Sequence, residues 1–341
     1  MGVPSCCKEV KSNLIFRNKI TYLSFVMAVL IVYRHAVGLK VYDIEGLLFW
    51  IELFISHLTD IIVPCFFAMS GYLFYQNFTW MKLKEKWKSR IKTIVFPFIV
   101  WNLVGFFFFF FSIGLLGDKI NKTIPPLNLL DFFCDVFIYT KYNITWFLAN
   151  LICYIYIFPL LVKFMNSRIT GIIIVLLLLF LGYYLNNSLL LYSVPYAMGA
   201  YIGLFYKNIA QKNYSSKTII IAALFIVITI LCETIYDFEQ GVVLMPIRLC
   251  QIIAIWILAD LLAISTSPKW WMTISFFIYC SHSLILETIE KVFYLTFGNT
   301  SRGALIDFMC APIITLIIIY GLAFYCRKIP KVWGLLVGYR K

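Results

Sequence analysis

Ionisable side chains inside apolar stretches are the residues of this sequence best suited to do chemistry. All three histidines, His35, His57 and His282, lie in such stretches. An unperturbed imidazole titrates near pH 6.5, so it exchanges protons at neutral pH. Arg34 directly precedes His35, and adjacent residues of a helix point about 100° apart, so these two side chains need separate partners. The Arg34–His35 pair is therefore the strongest signal of a functional site among these residues.

Other ionisable residues also fall within apolar stretches, where a charge is costly and usually marks a site or a water-filled cavity. His57 and Asp60 are three residues apart, which puts them on one helix face. The alternative interpretation is structural, with these groups pairing to lock helices together. The further members of this set are Glu52, Arg248, Asp260, Glu287, Glu290 and Lys291.

Several kinds of chemistry have no support in the sequence. The ten cysteines and three histidines show no zinc-ligand spacing, so we expect no metal and interpret the thiols as small hydrophobic residues. A P-loop and a G-x-S-x-G motif are absent, which argues against ATP-driven pumping and against α/β-hydrolase catalysis.

The elements that position these residues are predicted to be membrane-spanning helices. The chain has 341 residues, of which 62% are apolar and 13% charged, whereas soluble domains carry about 25% charged residues. About 20 apolar residues cross a bilayer as a helix. We predict an all-α polytopic protein with about ten spans, divided into an N-terminal segment (1–19), a transmembrane domain (20–326) and a basic tail (327–341). The predicted spans are 20–39, 47–75, 93–115, 143–164, 168–185, 188–206, 217–236, 242–265, 270–296 and 304–326.

The net charge of +13 is explained by orientation in the membrane. With the N-terminus inside, 21 of the 29 basic residues fall in cytoplasmic segments and 5 in the opposite loops, as the positive-inside rule requires. We therefore expect both termini in the cytoplasm, a location in the cell (inner or plasma) membrane, contact with lipid, and no nucleic-acid partner.

Two segments have features of a ligand site. The cytoplasmic loop KLKEKWKSRIK carries Lys88, Arg90 and Lys92, which suit anionic lipid headgroups or the phosphates of a nucleotide-like molecule. The segment PCFFAMSGYLFY places Ser70 and Gly71 in one span. There a glycine permits close backbone approach, and a helix break can free carbonyl groups for a ligand.

Five motifs in this order resemble the integral-membrane acyltransferase family 3, over roughly residues 12–326. They are TYLSFVMAVLIVYRHA, FFAMSGYLFY, KSRIKTIVFPFIVWN, TWFLANLICYIYIFPLL and SFFIYCSH. Members of that family are multi-pass proteins that move acyl groups, often acetyl from cytoplasmic acetyl-CoA, onto sugars or other acceptors. The resemblance implies an O-acyltransferase of this kind, with acetyl-CoA or another acyl-CoA as donor and a carbohydrate of the envelope as acceptor.

The resemblance also implies site residues. His35 matches the essential histidine of the family's first span, and we expect it to act as general base. An arginine common in the family, eleven residues before that histidine, is replaced by Ser24, and Arg34 is the candidate for its charge. Leu151 stands where some branches carry glutamate. The expected donor-binding residues are Ser70, Gly71, Lys88, Arg90 and Lys92, and the expected acceptor-binding or supporting residues are His57, Asp60, Trp146, Arg248, His282 and Glu287.

A transporter or flippase for a lipid-linked sugar is the alternative function, since intramembrane arginine, histidine and aspartate would also serve a proton-coupled carrier. The acceptor, the length of the acyl group and the oligomeric state are left open by the sequence.

Overall fold

The computed structural model describes residues 5–36, 47–116, 132–133, 136, 142–236, 244–262, 267–298 and 300–339, and every regular element in these ranges is helical. The all-α prediction is therefore confirmed. The α-helices are α1 (Ser5–His35), α2 (Leu47–Asp60), α3 (Ile62–Tyr75), α4 (Leu83–Arg90), α5 (Phe96–Leu116), α6 (Trp146–Val162), α7 (Arg168–Tyr184), α8 (Ser188–Phe205), α9 (Lys207–Ala210), α10 (Ser216–Tyr236), α11 (Met245–Leu258), α12 (Ser275–Phe297), α13 (Ser301–Cys326) and α14 (Pro330–Val337).

Seven helical segments of the described ranges are long and apolar enough to cross a membrane. They are Leu14–His35, Phe49–Tyr75, Trp80–Phe111, Asn143–Val162, Ser188–Phe205, Ser216–Tyr236 and Ser301–Cys326. The other three predicted spans correspond to α7 with 17 residues, α11 with 14 and α12 with 23. Helix α12 is long enough, but its second half carries Glu287, Glu290 and Lys291. The count of ten spans and the orientation of the termini stay predictions.

The predicted span 47–75 consists of two helices. Helix α2 ends at Asp60 and α3 begins at Ile62. Pro64 explains the break, because proline has no backbone N–H to bond the carbonyl four residues earlier, and its ring clashes with that carbonyl. That carbonyl belongs to Asp60, so the helix is interrupted beside one of the predicted site residues.

Two helices begin where the sequence predicted, because a polar capping residue precedes each of them. Ser167 precedes α7 and forms a capping box with Thr170, and the Asn187 side chain accepts a hydrogen bond from the Leu190 N–H at the start of α8. Such side-chain caps satisfy backbone N–H groups that have no partner within the helix. The predicted edges 168–185 and 188–206 therefore lie within a residue or two of the observed ones.

A π-helical segment, Ile91–Val95, joins α4 to α5 without a loop, and the Phe96 N–H bonds to the Ile91 carbonyl. Arg90, the last residue of α4, is thus rigidly connected to a membrane helix. Helix α1 begins at Ser5, within the predicted N-terminal segment, and α14 (Pro330–Val337) lies within the predicted basic tail.

Helices α3 and α8 form the closest helix–helix contact of the described bundle. A Cβ atom built on Gly71 would lie 2.1 Å from the Tyr196 carbonyl oxygen, and one built on Gly199 would lie 1.9 Å from the Ala68 carbonyl oxygen. Small residues at membrane helix contacts allow such backbone approach. The α3–α8 contact therefore requires glycine at both positions.

The bundle has two ends that can be named by their residues. The Lys19 face is the end where Lys19 of α1 forms an ion pair of 2.6 Å with Asp260, which follows α11. The His35 face is the opposite end, where α1 finishes and where α6 and α13 begin. Because α1 rises about 1.5 Å per residue, Lys19 and His35 are about 24 Å apart along the helix.

Candidate active site

Two histidines from different helices meet near the His35 face. Helices α1 and α12 pack along each other, and this packing brings the rings of His35 and His282 to a centroid separation of 5.1 Å. His282 is fully buried, whereas His35 at the end of α1 is exposed. One ring of this histidine pair is therefore accessible to a substrate, and the other is supported by the protein interior.

The hydrogen bonds of His282 determine which of its nitrogens carries the proton. Its Nδ1 lies 2.8 Å from the carbonyl oxygen of Tyr279 and 3.2 Å from that of Ile278. A carbonyl oxygen only accepts hydrogen bonds, so Nδ1 is the protonated nitrogen. Nε2 is then a lone-pair acceptor. It is buried, and within the described residues it has no hydrogen-bond partner.

A cluster of charged residues joins four helices beside this pair. Arg34 of α1 lies 2.9 Å from Asp60 of α2, and its guanidinium also donates a hydrogen bond to the Ser56 hydroxyl. Arg248 of α11 lies 3.7 Å from Asp60 and 2.9 Å from Glu233 of α10. We call Arg34, His57, Asp60, Glu233 and Arg248 the charge cluster. Its two arginines and two carboxylates balance, which is the condition for keeping charges buried.

The remaining contacts of the charge cluster are centred on Glu233. The side-chain amide of Gln251 donates to a Glu233 oxygen at 3.0 Å, and Arg248 donates to the Gln251 carbonyl at 2.9 Å. His57 Nδ1 lies 3.8 Å from the other Glu233 oxygen. Because Glu233 is 2% exposed, this carboxylate depends on these contacts for its stability.

A cavity of about 290 Å³ opens in the half of the bundle nearer the Lys19 face. Arg90 provides a cation in its lining, and Ser24, Ser70 and Thr93 provide hydroxyl groups. We call this space the Arg90 cavity. Tyr279 of α12 also lines it, and the Tyr279 ring lies 6.3 Å from that of His282. One residue of the cavity wall, Tyr279, is therefore a neighbour of His282, while neither histidine of the pair lines the cavity.

A family model described as an acyltransferase domain matches residues 17–327. The chain belongs to this acyltransferase family. The matched range begins within α1, ends just after α13, and includes the histidine pair, the charge cluster and the Arg90 cavity. Neither the comparison with curated proteins nor the comparison with solved structures gives a match.

In the acyltransferase, the predicted donor-binding residues are distributed over three environments. Ser70 and Arg90 line the Arg90 cavity. Gly71 lies in the α3–α8 contact. Lys88 and Lys92 are exposed on either side of Arg90 and are not part of the cavity lining. The structure thus brings Ser70 and Arg90 together and leaves the two lysines at the surface.

The predicted acceptor-side residues of the acyltransferase lie toward the His35 face. His57, Asp60 and Arg248 belong to the charge cluster. Trp146 begins α6, and its ring lies 5.2 Å from that of Tyr192. Glu287 of α12 accepts a hydrogen bond of 2.6 Å from Ser283.

Two acidic residues of the acyltransferase were missed by the sequence analysis. Glu233 is the carboxylate at the centre of the charge cluster, and Asp307 on α13 is 4% exposed, with an oxygen that has no hydrogen-bond partner in the described part of the chain. Both lie in apolar predicted spans. The criterion applied to Asp60, an ionisable residue within a span, would have found them. The described residues include no group of three His, Cys, Asp or Glu side chains that could hold a metal ion.

The residues at which the acyltransferase departs from the family pattern also occupy the cavity. Ser24 and Leu151 both line it. The positive charge in the described lining of this cavity comes from Arg90. Arg34, the candidate to replace the family's arginine at position 24, lies about 15 Å further along α1 than Ser24. Arg34 is thus too distant to replace a charge at position 24.

Proposed function

We propose that this protein transfers an acyl group, acetyl in the simplest case, from cytoplasmic acyl-CoA to a hydroxyl group of an envelope carbohydrate. The observation that carries the proposal is that Tyr279 lines the Arg90 cavity while its ring neighbours that of His282, one member of the histidine pair. A cationic entrance on one side and an exposed imidazole on the other suit a donor and an acceptor that approach from opposite faces.

The proposed reaction is a direct transfer with His35 as general base. The acceptor hydroxyl oxygen attacks the thioester carbonyl carbon, so that a C–O bond forms and the C–S bond breaks. His35 takes the hydroxyl proton and returns it to the departing thiolate, which gives an ester and CoA with a free thiol. A neutral imidazole suits both proton transfers at neutral pH.

On the donor side, Arg90 binds phosphate groups of the CoA moiety, with Lys88 and Lys92 adding positive charge outside the cavity. Guanidinium groups bind phosphates well because their N–H donors match the phosphate oxygens. The pantetheine arm occupies the cavity between Ser24 and Ser70. The thioester then lies near Tyr279, close to the histidine pair.

On the acceptor side, the charge cluster gives the site its polarity. Arg34 is held by Asp60 and Ser56 next to His35 in sequence, so its charge is fixed near the reacting groups. This cation stabilises negative charge that develops on the thioester oxygen during attack. Trp146 and Glu287 provide an aromatic face and a carboxylate for a sugar, as expected for carbohydrate recognition.

The test is an ester-forming assay with the purified protein in proteoliposomes, using labelled acetyl-CoA and a glycan fraction from the envelope. We expect base-labile label on the glycan. His35→Ala should lower kcat by about 10²–10⁴-fold, the usual contribution of a general base, at unchanged protein abundance. Retained turnover would exclude His35 as the base.

Arg90→Ala should raise the KM for the donor by about tenfold, because one charged phosphate contact is lost. Lys217→Ala is the matched control, since Lys217 is an exposed cation at the start of α10 that does not line the Arg90 cavity. Equal effects of the two variants would reject the donor role of Arg90. Glycan movement across the bilayer without ester would instead identify the alternative function, a transporter or flippase.

A further inference from the structure

His282 has a buried acceptor nitrogen to which no described residue donates a hydrogen bond. Its Nε2 is buried and lacks a hydrogen-bond partner among the described residues, while its Nδ1–H is bound to the Tyr279 carbonyl. Buried polar atoms are nearly always hydrogen-bonded, so an exception requires a reason. A hydrogen-bond donor for this nitrogen must therefore come from a neighbouring group.

His35 is the ring next to this acceptor. A hydrogen bond of about 2.9 Å between two imidazole nitrogens, each about 1.1 Å from its ring centre, separates the centres by about 5 Å. The observed separation of the two rings is 5.1 Å. His35 is exposed, so its side chain can rotate to direct an N–H at Nε2 of His282.

We propose that His282 is the positioning residue of the general base. Its Nε2 accepts a hydrogen bond from one ring nitrogen of His35, which leaves the lone pair of the other nitrogen facing the acceptor hydroxyl. The Tyr279 carbonyl fixes the tautomer of His282, and His282 in turn fixes that of His35. A base oriented by a third group is the general arrangement of enzymes that activate a nucleophile.

The effect of His282 on the reaction rate rests on the proposed function, in which His35 is the general base. When His35 takes the hydroxyl proton, its new positive charge lies next to the Nε2 lone pair of His282, and no proton needs to leave His282. The role is therefore orientation and charge stabilisation, without direct contact between His282 and the substrate.

The first test does not depend on activity. Because the chain has three histidines, nitrogen-15 labelling of histidine gives a small set of imidazole NMR signals from protein in lipid bilayers. We expect the Nε2 signal of His282, assigned by its loss in His282→Gln, to move when His35 is replaced by Phe. An unchanged signal would overturn the proposal, whether or not the wild-type protein transfers acyl groups.

The second test compares two amide variants. The Gln amide reaches the position of Nε2, whereas the Asn amide reaches only that of Nδ1. We expect His282→Gln to keep more than a tenth of the wild-type kcat and His282→Asn to lose at least a hundredfold, with the KM values of both substrates unchanged. A merely structural role, through the Tyr279 bond, would give the opposite order and would reject the proposal.

Discussion

The α3–α8 contact and the charge cluster lie in the same bundle but join their helices by different interactions. In the α3–α8 contact, backbone atoms of one helix touch glycines of the other, and a single Cβ atom has no space. In the charge cluster, the helices are joined by long side chains that pair through ionic contacts of 2.9–3.7 Å.

The difference indicates which part of the molecule is scaffold and which part can respond to a substrate. Dispersion contacts between backbones are lost steeply with distance, so α3 and α8 must stay fixed relative to each other. Ion pairs between flexible side chains can be rearranged when a polar ligand offers a new partner. Accordingly, the predicted acceptor-side residues include members of the charge cluster, whereas Gly71 belongs to the scaffold.

The largest expected effect is from a methyl group in the α3–α8 contact. In Gly199→Ala, the added Cβ would lie 1.9 Å from the Ala68 carbonyl oxygen, so the helices must separate along the contact. We expect loss of most of the folded protein, measured as the monodisperse fraction in detergent by size-exclusion chromatography. Gly321→Ala is the control, since nothing lies within 4 Å of its Cβ position, and it should gain about 0.5–1 kcal/mol from helix propensity. Equal yields of the two variants would contradict the scaffold role.

An intermediate effect is expected from removing one charge of the charge cluster. Glu233→Gln leaves Arg248 with a weaker set of partners, and breaking a buried ion pair on one side costs about 3–5 kcal/mol. Thermal unfolding in detergent should show this loss. The double variant Glu233→Gln with Arg248→Gln should lose less than the sum of its single variants, because neither charge is then left unpaired. If the loss of stability in the double variant equalled the sum of the losses in the two single variants, the charge cluster would not act as a unit.

The smallest effect is expected at the Lys19 face. In Lys19→Met, the Asp260 carboxylate keeps its hydrogen bond of 2.8 Å from the Tyr214 N–H, whereas the ammonium that lies 4.3 Å from the centre of the Trp256 ring is lost. We expect a loss of about 3 kcal/mol in the same unfolding assay, at the lower end of the cost of breaking a buried ion pair and less than for Glu233→Gln, because the hydrogen bond from Tyr214 remains. Lys217→Met, at an exposed position, should stay within about 0.5 kcal/mol of wild type. A larger loss of stability in Lys19→Met than in Glu233→Gln would show that the Lys19–Asp260 ion pair stabilises the protein more than the charge cluster does.

The helical architecture was predictable because it follows from local sequence. Long apolar runs and polar caps such as Ser167 and Asn187 are read within a few residues of the chain. The predicted span 47–75 corresponds to the apolar segment Phe49–Tyr75, and the junction between α2 and α3 lies three residues before Pro64, the visible sign of a break. The lengths of α7 and α11 are below the usual spanning length, and hydropathy alone gave no reason to separate them from the longer helices.

The candidate site was predictable in its residue types but not in its pairings. His35 and His282 were expected to serve one site, and their rings are neighbours. The partner of Arg34 is Asp60 and that of Lys19 is Asp260, 241 residues away, and no spacing in the sequence indicates such contacts. Only the packing of the helices decides which charges meet. For the same reason, the sequence alone could not show that Ser70 lines the cavity whereas its neighbour Gly71 lies in the α3–α8 contact.

The π-helical segment after Arg90 holds one extra residue between α4 and α5. Five residues of π-helix turn the chain by about as much as four residues of α-helix, so deleting one residue from Ile91–Val95 would leave ordinary α-helix with little rotation of α4 relative to α5. Arg90 would then keep its place in the cavity lining. A one-residue deletion in the α-helical part of α5 would instead rotate Arg90 by about 100° relative to the rest of that helix. Donor recognition in this protein is consequently sensitive to chain length within α5, whereas the π-helical segment can lose one residue without turning the cation away from the cavity.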